Sequence, residues 1–153
     1  MTTQPSTNAA LINSALILVT KDPSHPLAHL ALRYAQACVA TVATIDGSVS
    51  SDAIADTPPL QLFFYGDSAH LANRLRWQPA DQRNLTQEWQ HLAESHKVTL
   101  PVCVSTALNR GVSDSDNSVR HQLTGDNLAS GFSLVGLSEF AMMLQTNSRL
   151  VSF

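Results

Sequence analysis

The chain has little charge and almost no cysteine. Charged side chains make up 14% of its 153 residues, and only Cys38 and Cys103 carry thiols. Two cysteines cannot build the disulfide framework of a small secreted domain, and no CxxC pair or Cys/His cluster offers zinc spacing. A basic surplus is also missing. Nine Lys and Arg against twelve Asp and Glu leave a formal net charge of −3, which argues against a stable, direct nucleic-acid complex held through phosphates. The apolar run Ala15–Val19 is far too short to span a bilayer. The first residues have no positive region followed by an apolar run, so no secretory leader is expected, and a reducing cytoplasm fits. No GxGxxG follows the first apolar run, and there is no P-loop or GxSxG elbow.

What is present is an ordinary globular composition, 44% hydrophobic, in a chain long enough for one domain with its own core. Residues 1–13 are small and polar and read as a flexible tail. Residues 14–153 read as a single domain. Ser14–Thr20 is a strand apolar on both faces, as in a parallel sheet. Pro26 suits the first turn of a helix running to about Ala40, with a stripe of Leu27, Ala31, Tyr34, Cys38 and Val42. Thr44–Pro59 reads as a long surface loop. Leu60–Tyr65 is a second strand, Ser68–Arg76 a loop or short helical turn, and Leu85–His96 a helix with Leu85, Trp89, Leu92 and His96 on one face. Leu100–Val104 is a third strand. Ser113–Gly125 reads as loop with helical turns, and Phe132–Leu137 as either strand or helix entry. Leu137–Thr146 is a helix showing Leu137, Phe140, Ala141 and Leu144 on one face, and Arg149–Phe153 a closing strand. This alternation predicts a three-layer α/β/α fold around a mainly parallel sheet of about five strands.

The stretch Leu100–Gly111 carries the chemistry. A short buried strand ends at Cys103 and runs into a helix start where Ser105 and Thr106 offer capping oxygens. A thiol there faces unpaired backbone N–H groups and a positive dipole end, which favours the nucleophilic thiolate. Open α/β sheets also bind ligands beyond the carboxyl ends of their strands. Cys103 is therefore the candidate reactive residue and is expected to be partly accessible. Cys38 lies on a helix stripe and is expected to be buried and inert. From these residues alone, Cys103 as a small core filler stays open as an alternative.

Other motifs carry less. His25 and His29 stand four residues apart, but no third ligand joins them. Asp114–Ser118 begins like a calcium loop, yet Val119 stands where that loop needs glycine and Gly125 where it needs glutamate. Trp77, Trp89, Met142 and Met143 read as packing or contact residues.

Several pieces in order resemble the DsrE/TusD sulfur-relay (sulfurtransferase) family: Phe63–Tyr65, Asn73, Trp89 and Leu92, Val102–Val104, Ala107–Leu108, Arg110–Val112, Asn127–Leu128, Gly131–Phe132, Gly136–Leu137 and Arg149–Phe153. The resemblance covers about Ser14–Phe153. It implies a DsrE-like fold and a cysteine persulfide carrier with Cys103 as the catalytic thiol and no cofactor or metal. It implies a dimer of heterotrimers with TusB- and TusC-like homologous subunits, a TusA-like sulfur donor and a TusE/DsrC-like acceptor. The sulfur would end in 2-thiouridine at a tRNA wobble base, with no direct RNA contact by this chain. The alternatives are a DsrE-like role in sulfur oxidation, a non-catalytic scaffold or regulatory subunit with a structural thiol, and a small-molecule enzyme of the doubly wound type. Arg110, seven residues beyond Cys103, is a candidate to hold the anion. The weakly charged surface fits burial against partner subunits.

Overall fold

The computed structural model describes residues 15–45, 60–147 and 149–153, with residues 42–45 described by backbone alone. The polar tail expected over residues 1–13 lies outside them, as does the loop expected over Thr44–Pro59, except that Thr44 and Ile45 continue a helix.

Five strands form one parallel sheet: β1 Ala15–Val19, β2 Leu60–Phe64, β3 Leu100–Cys103, β4 Phe132–Val135 and β5 Arg149–Ser152. Their order across the sheet is β4-β3-β2-β1-β5. The helices are α1 Pro26–Ile45, α2 Leu85–His96, α3 Val104–Leu108, α4 Ser115–Arg120 and α5 Leu137–Thr146, and a 3₁₀ turn covers Gly66–Ala72. The expected α/β architecture is present, with every strand pair parallel. Strands β1 to β4 step in one direction, and the chain then crosses under the whole sheet through α5 to place β5 at the far edge.

Alternating side chains of each strand go to opposite faces. Ile17, Val19, Leu62, Phe64, Leu100 and Val102 join α1 and α2 in the main core. Trp89 is fully buried there, its ring edge-on to Phe64 at 5.2 Å and 90°. The other face is thinner. Leu16, Phe63 and Cys103 are its buried members, with Leu18, Val135, Phe140 and Met143 partly buried around them. Helix α5 covers that face, and none of its residues is fully buried.

Helix α2 keeps the bounds its pattern predicts. The Asn84 side chain accepts from the Gln87 amide at its start, and Lys97 ends it in the left-handed conformation with φ 54°. Two stripes differ from expectation. In α1 the buried row is Ala28, Ala31, Leu32, Ala35 and Val39, one step round from the row through Leu27, Tyr34 and Cys38. In α5 the inward side chains are Phe140 and Met143, whereas Leu137 and Leu144 are exposed. His96 is exposed on α2. Phe132–Val135 resolves as strand, paired residue for residue with β3. Val104, expected to close the third strand, opens α3 instead.

Candidate functional site

The carboxyl ends of β1, β2 and β3 meet around the 3₁₀ turn. Gly66 leaves β2 with φ +64°, a left-handed conformation that glycine adopts without strain. Ser68 then locks the turn: its buried hydroxyl donates to the carbonyls of Val19 at 2.6 Å and Tyr65 at 2.9 Å. At the other end of the turn the buried Thr86 hydroxyl donates to the Leu71 carbonyl at 2.7 Å. The turn is thus stitched to β1, to β2 and to the start of α2.

Cys103 ends β3 and is itself the N-cap of α3. The caps expected at Ser105 and Thr106 are not used as such. The helix begins one residue earlier, and the Thr106 hydroxyl turns back to the Cys103 carbonyl at 3.1 Å. The thiol faces the α5 side of the sheet, in the cluster with Leu16 and Phe63. Cys103 is 1% exposed, which overturns the expected partial access. The physical reason is the alternation of strand side chains. Val102 goes to the α1/α2 side, so Cys103 goes under α5, where Val135, Phe140 and Met143 crowd it. A cleft of about 250 Å³ lined by Gln61, Lys97, Thr99 and Met142 does not include Cys103. Neither does one of about 330 Å³ lined by Gln36, Asn84, Gln87, Glu88 and His91.

The Arg110 guanidinium is engaged by Asp67 and by the Thr106 carbonyl. Its Nε and Nη2 donate to Asp67 Oδ1 at 3.0 and 2.8 Å, and its Nη1 donates to the Thr106 carbonyl at 3.2 Å. Beyond it a polar network closes the site. The Asn127 side chain accepts from the Ser113 amide and donates to the Gly111 carbonyl and to Asn73 Oδ1. Arg74 pairs with Asp126 alongside. In the turn after β1, burial works to raise the Asp22 carboxyl, but hydrogen bonds from the Ser24 hydroxyl and amide, with the charges of His70 and Arg76, bring it below its ordinary value. His25 accepts from the Leu27 amide through Nδ1, at the head of α1. Among the described residues no group of three or more His, Cys, Asp or Glu could hold a metal ion. Nor is any described helix long and apolar enough to cross a membrane.

The profile of the DsrE/DsrF-like family fits residues 13–153. The chain belongs to the DsrE/DsrF-like family. Among its curated relatives, Sulfurtransferase TusD of Pectobacterium carotovorum is 41% identical over 92 residues, 60% of this chain and 71% of that protein. Sulfurtransferase TusD homolog of Vibrio parahaemolyticus is 39% identical over 94 residues, 61% of this chain and 72% of that protein. The crystal structure of ychN protein from E. coli shares the fold, with a TM-score of 0.66 and 17% identity over 93% of this chain and 100% of that one.

Cys38, the second thiol of this DsrE/DsrF-like chain, is half-buried beside the α1 core row rather than within it. Burial pushes its thiol up from the ordinary range, against opposing effects of the Arg149 charge and a Tyr34 hydrogen bond. A raised thiol keeps its proton at neutral pH and is a poor nucleophile. Alkylation of Cys38 by iodoacetamide should be slow at pH 7 and should keep climbing beyond the pH at which an ordinary thiol levels off. Peptide mapping across a pH series measures this, and a plateau at or below pH 8 would contradict it. Two contributors to the site, Asp67 and Ser68, carry no motif; the one signal for them is the Gly66–Ser68 run that ends the second strand.

Proposed function

We propose that the chain is a TusD-like sulfurtransferase subunit that carries sulfur as a persulfide on Cys103. The observation that supports this most is the position of Cys103. It stands at the carboxyl end of an interior strand of a sheet whose relatives of about 40% identity are named sulfurtransferases. In the first step the Cys103 thiolate attacks the outer sulfur of a donor persulfide. A bond forms between Sγ and that sulfur, the donor S–S bond breaks, and the donor leaves as thiolate. In the second step an acceptor thiolate attacks the outer sulfur of Cys103–S–SH, takes it, and regenerates the Cys103 thiolate. One sulfane sulfur moves and no outside oxidant or cofactor is needed.

Exchange requires the cover over Cys103 to open. Helix α5 is that cover and has no fully buried residue, which suits an element of low local stability. Its outer side chains Leu137, Met142 and Leu144, with Leu150 on β5, are all exposed. Apolar residues left open in this way mark a contact face, which fits TusB- and TusC-like subunits in a dimer of heterotrimers. A TusA-like donor, a TusE/DsrC-like acceptor, 2-thiolation of the tRNA wobble uridine and a cytoplasmic setting complete the reading.

One observation favours a second reading, a scaffold subunit with a structural thiol: Cys103 is 1% exposed. Intact-mass measurement after incubation with a persulfide donor separates the two. The relay reading expects the mass of one added sulfur, removed by a reductant and by an acceptor thiol, and mapped to the Cys103 peptide. A chain that stays unloaded, alone and with co-expressed homologous subunits, belongs to the scaffold reading.

A further inference from the structure

We propose that Asp67 and Arg110 act together as positioning residues for sulfur transfer at Cys103. This rests on the reading of Cys103 as the sulfur carrier and assigns roles to two residues that never touch the sulfur. Helix α3 is a single turn, Val104–Leu108. A helix this short is costly to nucleate, and following amides meet most of its last carbonyls: the Asn109 N–H donates to Ser105, those of Arg110 and Val112 to Ala107, and that of Gly111 to Leu108. The Thr106 carbonyl is held by a side chain. Arg110 satisfies the Thr106 carbonyl with Nη1 while Nε and Nη2 grip Asp67 on the 3₁₀ turn. Thr106 in turn donates its hydroxyl to the carbonyl of Cys103. A chain of contacts thus runs from the turn after β2, through Arg110 and Thr106, to the backbone of the nucleophile.

The turn makes a firm anchor, since Ser68, next to Asp67, is pinned to the ends of both β1 and β2. The Arg110 side chain is 26% exposed and that of Asp67 62% exposed, so the pair adds little to global stability. Its effect is on where α3 and the Cys103 backbone sit. Displacing a reacting group by about 1 Å costs up to about a hundredfold in rate. Lysine cannot replace this arginine, because it lacks the rigid fork that reaches a carboxylate and a carbonyl at once.

The test uses the full chain and glutathione persulfide, with the rate of Cys103 loading read by mass as the donor concentration varies. Asp67→Asn, Arg110→Gln and Arg110→Lys should each lower the saturating rate at least about tenfold, with the half-saturating donor concentration nearly unchanged. Their melting temperatures should stay close to wild type. The swapped pair Asp67→Arg with Arg110→Asp should restore the ion pair and the melting temperature but not the rate, because a carboxylate at 110 cannot donate to the Thr106 carbonyl; full recovery in it would overturn the proposal. Wild-type rates in all single variants would overturn the proposal while leaving Cys103 as carrier intact. Full activity in Arg110→Lys alone would assign the effect to charge, not position, and would overturn it too. A wild type that takes up no sulfur overturns both readings together.

Discussion

Cys103→Ala should abolish sulfur loading, while Cys38→Ala loads like wild type. The expected effect is total because the thiol is the only group proposed to bond to the sulfur, and no neighbour replaces a nucleophile. The choice of substitution follows from the surroundings. Cys103 sits among Leu16, Phe63, Val135, Phe140 and Met143. Serine would put a hydroxyl among apolar side chains, at a cost of about 1–3 kcal/mol if no partner is found. Alanine leaves only a small void. Both variants should be made, and thermal melts should show Cys103→Ser as the less stable. Intact mass after donor treatment gives the result. Loading of Cys103→Ala at the wild-type rate would remove the persulfide mechanism, and loss of loading in Cys38→Ala would move it to the other thiol.

The second large effect is on stability. Trp89→Ala should destabilise the fold by about 3–5 kcal/mol, the range for deleting a large buried aromatic. That is a fall of roughly 2–4 °C in melting temperature per kcal/mol for a chain of this size. Trp89 is fully buried, and its edge-to-face contact with Phe64 links α2 to β2 at the centre of the larger core. Its indole Nε1 is buried with no hydrogen-bond partner among the described residues. Trp89→Phe removes that unsatisfied donor while keeping a ring, so its loss should be less than half that of alanine. Chemical denaturation of the three proteins checks the order. A phenylalanine variant as unstable as the alanine variant would mean that the indole nitrogen has a partner or that ring size alone decides.

The parts of this fold that were legible in the sequence are those with local causes. Helix α2 was readable because Leu85, Trp89 and Leu92 recur on one face and polar residues fill the other. β1, β2 and β3 were readable as short apolar runs between turn residues and β5 as a closing strand, whereas Phe132–Val135 was left open between strand and helix entry because so short a run carries no period of its own. The α1 core row was not, because the rows through Leu27 and through Ala28 both have spacings of three and four, and the choice depends on the sheet beneath. Helix α5 failed for a related reason: its outward Leu137 and Leu144 are as apolar as its inward Phe140 and Met143. For Cys103 the sequence located the strand end and the turn into a helix. It could not show the cover, because that depends on a distant crossover laying α5 across this face. The grip of Arg110 on Asp67 joins residues 43 positions apart and is likewise a product of the fold.

The placement of β5 has a consequence for how the chain acquires its structure. β1 pairs with β2 on one side and with β5 on the other, in a register that sets Ala15 beside Arg149. Ala15 stands 45 residues from its partner Leu60 but 134 from its partner Arg149, so the β1–β2 pair closes the smaller loop and β5 is expected to dock after it. Until then the outer edge of β1 is an open row of backbone donors and acceptors, the kind of edge that invites pairing with another chain. Long-range parallel pairing of this sort is slow. Docking of α5 and β5 together is therefore the step expected to come last. That step seals the thiol and the sheet edge in one movement.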